Sequence, residues 1–160
     1  MKSKIYFCDR KMLIPLKNGT ITRYYGELMY IMFNKPYCEL YFIGDTKYMV
    51  ENSLQYMIEN LPRGGFIKCN RMAIVNICYH KIFCKNPPTI VMDNGQEFKL
   101  SRKNIKEFEL LIKKASRLSP PCYACYSCDD NDCENQIVFC RRKNARPNEE
   151  PEKSDFVLLG

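Results

Sequence analysis

The sequence predicts a mainly β domain with one or two short helices. Turn words punctuate short apolar runs at Asn18-Gly19, Gly44-Asp45 and Asp93-Asn94-Gly95. The run Phe66-Ile-Lys-Cys-Asn-Arg-Met-Ala-Ile-Val-Asn76 alternates apolar with polar or basic residues, as strands with one buried and one solvent face do. Only two segments change to helical spacing.

In chain order, residues 12–16 and 21–24 flank Asn18-Gly19, a strong hairpin signal, and Pro15 argues that the first of them lies at a sheet edge. Residues 28–33 and 38–43 read as strands about the turn Asn34-Lys35-Pro36, and residues 47–50 as a third after Gly44-Asp45. Leu54, Met57, Ile58 and Leu61 then recur at helical spacing, with Asn52 or Ser53 as cap and Pro62 and Gly64 as terminators. Strands resume at 66–70, 73–76, 81–85, 89–92 and 97–100. A second helix is expected from Asn104 to about Arg117, with Ile105, Phe108, Leu111, Ile112 and Ala115 inward, until Ser119-Pro120-Pro121 stops it.

Charge divides the chain unevenly. Residues 1–118 hold 20 Lys and Arg against 10 Asp and Glu, and residues 119–160 hold 5 against 8. A basic body with an acidic tail points to an anionic partner for the body. No segment nears the roughly 18 uninterrupted apolar residues of a membrane span. The apolar run at 5–8 is too short for a signal-peptide core, so a cytoplasmic location is expected. There the ten cysteines are expected as thiols, metal ligands or redox groups rather than structural disulfides.

Three words stand in a set order: Leu28-Met-Tyr-Ile31 with Asn34-Lys-Pro-Tyr37; Leu61-Pro62 followed by the 66–76 run; and Asp93-Asn-Gly95 followed by Leu100-Ser-Arg102. Together they resemble the LytTR family of bacterial DNA-binding domains, over roughly residues 10–118. The resemblance implies an elongated antiparallel β-sheet assembly. It also implies a transcription factor that binds duplex DNA at promoter direct repeats, placing loops and strand ends rather than a recognition helix into the grooves. Carried over by position, the base-reading residues are Asn34, Lys35, Tyr37, Asn70, Arg71 and Arg102, with Lys68, Ser101 and Lys103 on phosphate. Arg bridges guanine O6 and N7, and Asn does the same for adenine. Lys and Ser contacts to phosphate set position and affinity. Two positions depart from the family word: Asn70 stands where His is usual, and Met72 where a small Ser is usual. Asn76 is expected to tie off a turn. Oxidation of Cys69, inside the reading strand, would weaken binding.

Residues 1–9 read as a lead, 119–140 as a Cys-rich extension and 141–160 as a disordered tail. With no receiver domain in the sequence, input is expected from an upstream signalling protein, from expression level or from the tail. A second copy on an adjacent repeat is a further expected partner. Cys122, Cys125, Cys128 and Cys133 carry the spacing C-x2-C-x2-C-x4-C, which four thiolates can use to hold Zn²⁺. This supports an alternative, a metal- or thiol-redox sensor acting through the tail; DNA reading itself requires no cofactor. Enzymatic readings lack parts. His80 stands alone, and no nucleophile–base pair, Gly-rich phosphate cradle or close carboxylate pair appears.

Overall fold

Antiparallel hairpins build almost all of the structure, a computed structural model that describes residues 4–62 and 65–115. β1 (Tyr6–Phe7), β2 (Lys11–Leu16) and β3 (Gly19–Tyr24) form a first sheet in that order. Lys17-Asn18 is the loop between β2 and β3, and Leu16 pairs with Gly19, so the glycine opens a strand rather than centring the turn. Pro15 lies in the middle strand, not the edge strand expected. It is tolerated because, among the described residues, β1 pairs with β2 only at Met12 and Leu13 and no strand lies beside Pro15 on that side. Two residues of the expected lead, Tyr6 and Phe7, belong to this sheet, and Ile5 and Phe7 are buried in the core.

A single 3-10 turn (Tyr25–Glu27) leads into β4 (Leu28–Asn34), β5 (Tyr37–Phe42) and β6 (Thr46–Val50). Gly44 and Asp45 both take positive φ, +78° and +58°, which suits the Gly-Asp pair at this turn. Arg23 ties the first sheet to the second. Its guanidinium bonds Glu27 at 3.0 Å, Thr46 Oγ1 at 3.1 Å and the Tyr48 hydroxyl at 3.2 Å. This cation is therefore structural, not part of a binding surface.

The helix α1 (Leu54–Asn60) starts where the spacing predicts, with Ser53 Oγ accepting from the Tyr56 amide at 3.1 Å. β7 (Phe66–Asn70) and β8 (Ala73–Asn76) complete a five-stranded sheet of order β6-β5-β4-β8-β7. Here the alternation of buried and solvent faces fails. All four residues of β8 are buried, because the sheet is a middle layer with core on both sides. Ile31, Leu40, Phe66 and Ile74 face a core shared with the first sheet and α1. Tyr30, Ile67, Ala73 and Val75 face a second core.

That second core is closed by β9 (His80–Lys85), β10 (Pro88–Met92) and β11 (Glu97–Lys99), ordered β11-β10-β9, and by α2 (Ile105–Ala115). A 3-10 turn (Arg102–Asn104) replaces the first residue expected in this helix; residues 116 and 117 lie outside the described residues. Phe108 is fully buried against Phe83 (5.1 Å between ring centres) and His80 (5.7 Å). Asn76 is also fully buried: its Nδ2 donates to Leu28 O at 2.9 Å, and its Oδ1 accepts from the Cys78 amide at 3.0 Å. Among the described residues, no helix is long and apolar enough to cross a membrane.

Candidate nucleic-acid interface

Strand direction collects the expected site residues. β4 ends and β5 begins at the loop Lys35-Pro36, where Asn34 pairs with Tyr37. β7 ends and β8 begins at the loop Arg71-Met72, where Asn70 pairs with Ala73. Met32 pairs with Ala73, and the Phe33 amide donates to Met72 O at 2.8 Å, so the two loops leave the same end of the sheet. The segment after β11 reaches that end from the side. The register of β7 shifts between Lys68 and Asn70, a bulge at Cys69, and Cys69 O accepts from the Ser101 amide at 2.8 Å. Asn104 Nδ2 donates to Lys68 O at 2.9 Å. These bonds lock the Ser101–Asn104 backbone onto the outer edge of β7.

Arg71, Arg102, Lys103, Asn34 and Lys35 are exposed at this end, Tyr37 is 39 % exposed, and Ser101 and Lys68 are half-buried. Lys68 Nζ donates to Gln55 Oε1 at 3.3 Å. Lys68, Arg71, Ser101, Lys103 and Asn104 share the lining of an open cavity of about 300 Å³. Asn70, expected among the base readers, is half-buried and engages its amide with neighbouring backbone. Nδ2 donates to Lys99 O at 2.6 Å, and Oδ1 accepts from the Met72 amide at 2.7 Å. Reading adenine would need both amide atoms turned outward; Asn70 instead shapes the loop and ties it to β11. Replacing Asn70 with Ala is expected to cost about 1–2 kcal/mol of stability through these two bonds. Urea denaturation checks this. Sequence reasoning missed Asn104 and Gln55 as supports. Asn104, just ahead of an apolar helical run, carried the signal of a cap.

The model of the LytTr DNA-binding domain matches residues 19–113, more than half of the chain. The chain belongs to this family. Among solved structures, it is similar to a chain described as the LytTr DNA-binding domain of a methyl-accepting/DNA response regulator from Bacillus cereus. The two share 23% identity over 64% of this chain and 96% of the other, with a TM-score of 0.55. A comparison with curated proteins returns no match. The chain thus carries a DNA-binding domain, of a family that is not enzymatic, in a mostly β fold of LytTR type.

Within the LytTR domain, the thiols of Cys38, Cys69 and Cys78 are held neutral. Burial pushes Cys69 up to about 12, and Cys38 and Cys78 up to about 11. Cys69 Sγ is fully buried and donates to Ala73 O at 3.4 Å. A buried, protonated thiol is a poor target for oxidants, which argues against Cys69 as a redox switch. The sign for stability follows from these shifts. The folded thiols hold their protons more tightly than the unfolded chain, so their contribution is complete below about pH 9 and is lost as pH rises through 11–12. Urea-denaturation midpoints are expected to be lower at pH 10.5 than at pH 8, which measurements at the two pH values check. Among the described residues, no group of three or more His, Cys, Asp or Glu could hold a metal ion. Cys122, Cys125, Cys128 and Cys133 lie outside the described residues.

Proposed function

We propose that the chain is a transcriptional regulator that reads duplex DNA sequence-specifically at direct repeats in promoters. Arg71 and Arg102 serve as the main base readers, with Asn34, Lys35 and Tyr37 beside them, and Lys68, Ser101 and Lys103 bind phosphate. One observation carries this reading. Two loops and the Ser101–Asn104 segment stand at one end of one sheet, each held by backbone hydrogen bonds, with exposed Arg side chains on that rigid support. Preorganised Arg suits base edges because its fork meets guanine with two parallel hydrogen bonds. The other cations add affinity that falls with salt. In this reading the protein acts in the cytoplasm, a second copy occupies the neighbouring repeat, and a separate signalling protein supplies the input.

Selection of bound sequences from a random duplex pool, using the full chain at moderate salt, tests the proposal. An enriched motif occurring twice at fixed spacing is the expected result. A pool that stays random while still binding would leave generic basic attraction and overturn sequence-specific reading.

A further inference from the structure

The side chain of Met72 has no part in the contacts described so far. It is 54 % exposed, in the two-residue loop that also carries Arg71. Both of its backbone polar groups are engaged. Its amide donates to Asn70 Oδ1 at 2.7 Å, and its carbonyl accepts from the Phe33 amide at 2.8 Å. A large apolar side chain therefore stands on a fixed backbone, at the end of the sheet where Arg71, Lys103 and Lys35 are also exposed. Leu16, Met49, Ile82 and Leu110 are exposed too, but none of them stands in the loops that carry these cations.

The chemistry narrows what such a group can meet. A thioether donates no hydrogen bond, so it offers nothing to a phosphate oxygen or a base acceptor. The major groove displays one apolar group, the C5 methyl of thymine. We propose that Met72 is a specificity-determining residue whose side chain packs against a thymine methyl next to the base read by Arg71. The inference rests on the DNA-reading proposal above and deepens it. A polar or anionic surface would leave the thioether without a complementary partner. Duplex DNA with a thymine at this step buries it against a matching apolar group.

The test replaces thymines of the selected site one at a time by uracil, which removes only the methyl group. Binding of the full chain is measured for the unmodified protein and for Met72→Ser. Because Met72 is exposed, the variant should keep the Tm of the parent. The parent is expected to lose about 4-fold in affinity at one uracil position, the equivalent of about 0.8 kcal/mol for one buried methyl-sized group. Met72→Ser should bind the thymine site more weakly and be indifferent to uracil at that same position. Uracil effects that are equal in parent and variant at every position would overturn the methyl contact while leaving base reading by Arg71 intact. A chain that selects no sequence at all removes the reading on which the contact rests, and the contact with it.

Discussion

Arg71→Ala is expected to lower the ratio of specific to nonspecific DNA binding by about 5- to 150-fold, the equivalent of about 1–3 kcal/mol for one lost bidentate base contact. The side chain is exposed in a loop whose shape is set by Asn70 and by the Phe33–Met72 backbone bond, so its removal leaves the fold in place. Arg102→Ala should behave alike, since Ser101 and Asn104 hold the neighbouring backbone to β7 independently of the guanidinium. Lys68→Ala is the contrasting case. It should weaken selected and unrelated duplexes equally and reduce the salt slope by about 1. Titrations of both duplexes at several salt concentrations separate these outcomes. Equal losses on both duplexes in the Arg variants would remove them from base reading.

The second large effect concerns a buried residue outside the proposed DNA contacts. Phe108→Ala should cost about 3–5 kcal/mol, because its ring is fully buried and packs against Phe83 and His80. That is a large share of the stability of a domain this size, and a Tm drop on the order of 10–20 °C should accompany it. DNA binding should weaken as well, since α2 continues directly from the turn that carries Arg102 and Lys103. Leu110→Ala in the same helix is the control. Leu110 is 68 % exposed, and its removal should change stability by less than about 0.5 kcal/mol. Calorimetry on the two variants checks the difference.

The hairpins and both helices were legible because each carries a local signal: Gly44-Asp45, Asp93-Asn94-Gly95, the Ser53 cap, and the spacing of Leu54, Met57 and Leu61. The order of strands within the sheets has no such signal. Nothing near Ile74 says that a second layer covers its neighbours Ala73 and Val75, so the 66–76 run reads as half-exposed. Its second half, Ala-Ile-Val, in fact has the unbroken apolar character of a strand buried on both faces. The partners of Asn70 were hidden for a related reason. An Asn at a strand end suits a base edge and a turn equally well, and the carbonyl that decides between them belongs to Lys99, 29 residues away. The grouping of Arg71, Arg102 and Lys103 was legible only through the family word. The Ser101–Asn104 segment bonds to β7 beside the bulge at Cys69, which no residue type announces.

Core on both faces of β8 has a consequence for how the chain finds its alignment. In a sheet wet on one side, polarity forbids a one-residue slip, because a slip would turn the apolar set outward. For Ala73, Ile74 and Val75 a slip would merely exchange one apolar residue for another, and polarity does not oppose it. The two asparagines that bracket the strand supply what polarity does not. Asn70 fixes where the loop closes, and Asn76 finds Leu28 O only in the native alignment. They act as end stops, keeping Arg71 and Met72 at the tip rather than one place along it.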